Sequence, residues 1–314
     1  MTTEVATSAL KAKQRAGDRI FSTATIVAGS LILAILAAVA IFLLLQSLPA
    51  FVAKATDFKG GFTNFWAYVW PLAFGTLWSS FLALIIAIPL AIGIALFISH
   101  YAPRRLAQGL GYIVDLLAAV PSVVFGLWGI GVLAPLLQPF YTTLVQWFGW
   151  FPLFAGPVSG TGRTLLTVAI VLAVMVLPII TAISREIFLQ TPVLHEEAAL
   201  ALGATRWEMI TMAVLPFGRP GIISASMLGL GRALGETMAV AMVLSPSPQV
   251  IFNLLTSQNP TTIAANIALN FPEAHGTGVN ILLGTGLILF VITLAVNMLA
   301  RYVINRRKAF SGAN

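Results

Sequence analysis

The chain has 314 residues, of which 59% are hydrophobic and 9% charged, with a formal net charge of +7 and no cysteine. A soluble globular domain carries roughly 45–50% apolar and 25% charged residues, so this composition excludes one: no soluble fold of this size hides so much apolar surface. The missing cysteine excludes disulfides and thiol catalysis, and the positive charge does not mark a nucleic-acid protein, because the basic residues flank hydrophobic runs instead of forming a water-facing patch.

The first apolar run, 21–48, follows a tail (1–20) that holds Lys11, Lys13, Arg15 and Arg19. It resembles the charged start of a secretory signal, but its apolar region exceeds the roughly 7–15 residues of a cleaved one. It is therefore predicted to stay as a membrane helix. A second span is expected over 71–99, since a hydrocarbon core about 30 Å thick takes around 20 helical residues. The third, 109–137, is interrupted by Pro121, Gly126, Gly129, Gly131 and Pro135. Breakers at membrane depth are tolerated where protein or a water-filled cavity covers the freed backbone, so Pro121-Ser122 marks either a broken helix beside a pathway or a packing kink. Further spans are predicted at 164–184, 220–245 and 280–304, leaving 305–314 as a tail. The fold class is thus all-α and polytopic, with six transmembrane helices over 21–304.

An even number of spans places both termini on one side. Of the 17 Lys and Arg, 13 fall on the side of the termini and three (Lys54, Lys59, Arg163) on the other, while Arg232 lies within a span. By the positive-inside rule both termini are expected in the cytoplasm. The outer loops 49–70, 138–163 and 246–279 carry Trp66, Trp70, Trp147 and Trp150 at their span ends, as expected of interfacial anchors.

Two features depart from a generic bundle. The connection between the fourth and fifth spans is amphipathic and too polar to cross. Pro192 and the pair Glu196-Glu197 suit a helix start, and Gly203 suits its left-handed stop. A second short helix is expected from about Thr205 to Val214, ending before Pro216. The other feature is Arg232 and Glu236 within the fifth span, where each charge costs about 2.5–3.5 kcal/mol on insertion scales. Four apart, they are expected on one helical face, either as an internal ion pair or as groups meeting a substrate. Arg before Glu is the less favourable order for such a pair. Thr237 and Ser122 add hydroxyls as weaker candidates for the same path. The glycines around Arg232 are spaced G-x-G-x-x-x-G outside any βαβ unit, so a nucleotide fingerprint is dismissed.

Glu197-Ala198-Ala199, then Gly203, then Leu215-Pro216 resembles the EAA loop of ABC-importer permeases, with Ala213 where isoleucine is usual. The stretch from Gly231 to Val240, and Pro121 to Gly129, are similar to the C-type permease subunits of phosphate-specific ABC importers. The resemblance extends from about residue 20 onward and is weakest in the outer loops. It implies a type I importer fold in a prokaryotic plasma (inner) membrane. It also implies that residues 192–216 form a coupling element docking on an ATPase, through Glu197, Ala198, Ala199, Gly203, Leu215 and Pro216. Phosphate is the implied substrate, and the resemblance implies a role in transport for Arg232 and Glu236. The implied partners are a second homologous permease, two ATP-binding subunits and an external phosphate-binding protein that the outer loops receive.

No G-x-x-x-x-G-K-[S/T] loop occurs, so no cofactor is expected in this chain and ATP must be hydrolysed elsewhere; the resemblance implies that ATP and magnesium sit on the partner ATPase subunits. Sulfate, molybdate and phosphonate permeases are the near alternatives. An ion-coupled secondary transporter would show inverted repeats, which are not found. An intramembrane enzyme would need a metal or nucleophile motif; His100, His195 and His275 fall on separate loops instead.

Overall fold

The computed structural model describes residues 16–58 and 60–308. The parts of the expected tails at 1–15, with Lys11, Lys13 and Arg15, and at 309–314 lie outside them, as does Lys59 of the expected loop 49–70. Every long element is helical, and six helices among the described residues are long and apolar enough to cross a membrane.

Helix α1 (Ala16–Phe51) and helix α12 (Thr277–Lys308) run beyond the tail boundaries expected at 20 and 305. They pack on one another at the edge of the molecule, and α1 leaves most of its apolar side chains exposed. Such a helix keeps its shape because lipid offers no competing hydrogen bonds to its backbone.

The centre is α2 (Phe65–Leu96) against α6 (Leu165–Leu189). Ala83, Ala87, Ala91 and Ala95 recur every four residues along α2 and are each 0% exposed. A row of methyl groups lets the α6 backbone approach closely, which is how helices associate where lipid removes the hydrophobic drive. Leu172, Met175, Val176 and Ile180 of α6 fill the other side of the contact.

The third span differs from expectation. The run 109–137 is divided: α3 (Arg104–Ala118) stops, residues 119–121 are non-helical, and a new helix runs from Ser122 to Phe148. Pro121 cannot donate to the turn before it and disfavours helix at the preceding residue. The new helix comprises α4 (Ser122–Trp128), a wide turn at Gly129–Leu133 and α5 (Ala134–Phe148), so much of the expected outer loop 138–163 is helical.

The connection after α6 forms α7 (Val193–Ala201), with Pro192 at its N-cap and Gly203 at φ +85° behind it. Thr205 and Glu208 then make a reciprocal capping box that starts α8 (Arg206–Met209). The second short helix does not end before Pro216 as expected. It continues through a wide turn, Ile210–Val214, into α9 (Leu215–Leu234). The Leu215 N–H bonds the carbonyl of Ile210, five residues back, and this shifted register carries the chain past Pro216, which has no N–H to offer.

The outer segment 246–279 is only partly a surface loop. Leu254, Leu255, Asn259, Thr262 and Ala265 are buried, and α11 (Ile263–Asn270) rests on α2. The Ile263 N–H donates to Thr76 Oγ1 at 2.9 Å, and Asn266 Nδ2 donates to the Tyr68 hydroxyl at 2.8 Å. A Cβ at Gly75 would strike the carbonyls of Pro260 and Thr261, so a glycine is needed for this seat.

Candidate functional site

The fifth span also breaks. α9 ends at Leu234, Gly235 to Thr237 leave the helix, and α10 (Met238–Val243) begins. Arg232 and Glu236 therefore do not share a face of one continuous helix, and no ion pair joins them among the described residues.

Arg232 sits half-buried in the last turn of α9, and its Nη1 donates to the carbonyl of Ala118 at 3.4 Å. Ala118 is the last residue of α3, so the guanidinium stands at the carbonyl-rich ends of two helices, where a cation is favoured. A guanidinium carries five N–H donors. Four of them take no protein acceptor among the described residues.

Glu236 is 7% exposed, and its Oε1 accepts the Ala239 N–H at 3.0 Å. The carboxylate thus satisfies one of the free N–H groups that begin α10 and complements the positive end of that helix. Its Oε2 keeps its acceptor capacity. At the far end of α10, Arg163 donates to the carbonyls of Met242 at 3.1 Å and of Val243 and Leu244 at 3.3 Å. This six-residue helix is held by an acid at its N-terminus and a base at its C-terminus.

The two breaks face each other. A Cβ on Gly126 would lie 3.0 Å from Ala239 Cα, and one on Gly129 would lie 2.8 Å from Val243 Cγ2. Contacts advancing in the same order mean that α4 and α10 run parallel. Ser122, one turn before Gly126, is then level with residues 235–236. Ser122 and Thr237 are both half-buried, with hydroxyls uncommitted among the described residues. The structure thus brings Ser122, Glu236 and Thr237 to one level, with Arg232 joined to the end of α3 just before the first break.

The second cluster of sequence-predicted residues lies at the other end of α9. Glu197 and Ala198 are exposed, while Ala199 is buried against Met209, Ile210, Val214 and Phe188. Leu215 is half-buried, Pro216 exposed, and Gly203 adopts the left-handed turn. Around them Leu194, Leu202 and Trp207 present apolar side chains to the outside, 74%, 88% and 58% exposed.

Sequence reasoning missed three contributors. Arg163 was counted only as an outer charge. Ala118 offers a backbone carbonyl, for which no side-chain signal exists. His100, placed on a loop of its own, sits on the wide turn Phe97–Tyr101 that ends the second span. There its Nε2 meets Glu196 Oε1 at 3.4 Å and its Nδ1 meets Ser99 Oγ at 2.7 Å. It ties the second span to α7.

Residues 87–309 match the family described as binding-protein-dependent transport system inner membrane component. The chain belongs to that family. The permease is 47% identical over 300 residues to the phosphate transport system permease protein PstC 2 of Mycobacterium bovis, with 92% of each chain covered. It is 41% identical over 307 residues to the phosphate transport system permease protein PstC of Mesorhizobium japonicum, covering 94% of this chain and 92% of that one. Its fold is similar to a crystal structure of a bacterial ABC transporter involved in the import of the acidic polysaccharide alginate. That match has TM-score 0.54 and 20% identity, covering 92% of this chain and 99% of that one. The permease is thus a multi-pass membrane component of a binding-protein-dependent transport system, with the fold of an ABC-importer permease.

Proposed function

We propose that this permease carries inorganic phosphate inward as one subunit of an ATP-driven importer. The single observation that carries the chemistry is Arg232 with four N–H donors free, close to Glu236 with one carboxylate oxygen free, at two opposed helix breaks. The guanidinium fork matches phosphate oxygens and keeps its charge. Phosphate at neutral pH retains a proton, and Glu236 Oε2 accepts that O–H. Fully ionised sulfate has none to give. Ser122 and Thr237 supply further hydroxyls. The 47% identity to a phosphate permease over 92% of the chain points to the same substrate.

ATP and magnesium belong to two partner ATPase subunits, and a second homologous permease completes the pathway. Both termini face the cytoplasm on the strength of the basic-residue asymmetry. Residues 192–216 then lie on that side and dock on an ATPase, while an external phosphate-binding protein meets the exposed parts of 49–70, 138–163 and 246–279. Closure of the ATPases rocks α8 and α9 as one lever, because the helix from Arg206 to Leu234 is uninterrupted.

The test is uptake of radiolabelled phosphate by the assembled transporter in proteoliposomes containing ATP. Uptake that requires ATP, survives a collapsed membrane potential and resists excess sulfate is expected. Equal competition by sulfate and unlabelled phosphate would overturn the phosphate assignment.

A further inference from the structure

A second cluster of charges lies on α3, away from the breaks. An open cavity of about 650 Å³ is lined by Ser99, Arg104, Gln108, Asp115 and Arg185, with Arg104, Gln108 and Asp115 exposed, at the end of the molecule where His100 meets Glu196 of α7. That volume is in the range of about 300–1,000 Å³ typical of small-ligand sites. Arg185 comes from the last two turns of α6 and lies directly over Gly111, where any Cβ would collide with its guanidinium. Its Nε is buried and takes no acceptor among the described residues. Its Nη2 meets Glu186 Oε1 at 2.9 Å, but that carboxylate is 59% exposed, and such a pair contributes little against solvent.

Position along α3 links this cavity to the central site. Arg104, Gly111 and Ala118 are seven apart, hence two turns each, about 10 Å, on nearly the same face. Arg104 begins the row, Arg185 is seated at its middle and Arg232 at its end. Each of the upper two arginines has a carboxylate near it: Glu236 beyond Arg232, and Asp115 one turn from Gly111 on the cavity wall. A cation with an adjacent acceptor suits an oxyanion that keeps a proton. A lipid phosphodiester has no such proton.

We propose that this cavity is a second station for inorganic phosphate, one step beyond Arg232 on the way to release. The accessible face of the Arg185 guanidinium and Arg104 hold the anionic oxygens, Gln108 donates from its amide, and Asp115 takes the O–H. The station rests on the proposed function above, and it gives the anion a place to go when Arg232 lets go.

Because the chain has no cysteine, Ala107→Cys installs a single thiol on the cavity wall without removing a proposed ligand, and Ser99→Cys provides a second reporter on another element. The assembled transporter is placed in nanodiscs of phosphatidylcholine, and labelling of this chain by an uncharged maleimide is timed with and without inorganic phosphate. Protection of about tenfold is expected at roughly ten times Kd, where about a tenth of sites stay free. Arg185→Gln should abolish protection, and Arg232→Gln should leave it. The proposal is overturned if phosphate protects neither thiol, if protection survives Arg185→Gln, or if phosphatidylglycerol in the disc protects and phosphate does not. Normal phosphate uptake without protection removes this station alone; failed uptake removes the proposed function itself.

Discussion

Arg232 and Ala118 join two interrupted helices: the guanidinium in the last turn of α9 donates to the final carbonyl of α3 at 3.4 Å. One donor is spent on position and four take no protein acceptor among the described residues, as the proposed anion role requires. Arg232→Gln should abolish phosphate uptake while the transporter still assembles, since the lost bond is one of many contacts of α9. Arg232→Lys keeps the charge but loses the planar fork. A charge-assisted hydrogen bond contributes about 1.5–3 kcal/mol, so the lysine variant should transport about 10- to 150-fold more slowly. Initial uptake rates in proteoliposomes, normalised to assembled complex, measure both. A lysine variant at the wild-type rate would leave the arginine a purely electrostatic role.

Glu236 has two tasks that substitution can separate. Its Oε1 holds the Ala239 N–H, and a neutral amide oxygen can do the same. Glu236→Ala removes that bond and should lower stability by about 0.5–2 kcal/mol, the usual loss of a helix cap. Glu236→Gln should unfold near the wild-type temperature yet admit sulfate as a competitor, because the amide no longer provides a carboxylate for the phosphate proton. Thermal unfolding and sulfate competition, read on the same two variants, decide the point. If both discriminate against sulfate normally, Glu236 is a cap and nothing more.

The layout was legible because apolar runs of spanning length leave little freedom, and Gly203 and Thr205 carry strong local signals for a stop and a start. What was missed lies where proline chemistry and tertiary packing act together. A proline after a run of apolar residues reads as an end, yet Pro216 sits inside a continuous helix because a wide turn at Ile210–Val214 resets the hydrogen-bond register. Arg232 and Glu236 looked like one helical face because the sequence between them has no proline. The helix ends at Leu234 all the same, and the Glu236 carboxylate starts a new one. Arg163 had no motif around it, and its three acceptors are backbone carbonyls some 80 residues later in sequence.

Gly126 should be far less replaceable than Gly131. A Cβ on Gly126 meets the Ala239 backbone and the Met242 sulfur at 3.0 Å, whereas one on Gly131 meets nothing within 4 Å. Overpacking of this kind costs about 1–3 kcal/mol, while an alanine in an open helical position gains up to about 1 kcal/mol over glycine. Gly126→Ala should lower the unfolding temperature of the purified transporter and slow uptake by parting the two breaks. Gly131→Ala should do neither. Equal behaviour of the two would mean that α4 and α10 do not rely on this contact.

Arg163 should matter for the same short helix from its other end. Its guanidinium donates to three carbonyls that close α10, and each charge-assisted bond is of the stronger kind. Arg163→Ala leaves those carbonyls without their donor and should destabilise the transporter more than Glu236→Ala does. Arg163→Lys, with a point charge that still favours a helix C-terminus, should recover part of the loss. Unfolding temperatures of the three variants in one detergent give the order directly, and an Arg163→Ala variant as stable as wild type would contradict it.

Leu202 offers the cleanest test of the proposed coupling surface, because it is 88% exposed and follows α7 directly, just before the left-handed Gly203. With Val193, Leu194, Leu200, Trp207 and Met212 it leaves this connection rich in exposed apolar side chains, the kind of surface that marks a partner site. Ala199 behind it is buried and fixes α7 to the ends of α2 and α6, so changes at Leu202 need not disturb the fold. Leu202→Asp should leave expression and membrane insertion of the permease unchanged and reduce copurification of the ATPase subunits, while Ala199→Leu should damage the permease itself by overpacking. Burying a leucine at an interface contributes about 1.5–3 kcal/mol, which corresponds to about 10- to 150-fold in affinity. Pull-down of the ATPase with the two variants at matched permease levels distinguishes docking from packing. Undiminished ATPase recovery with Leu202→Asp would move the docking surface elsewhere on the chain.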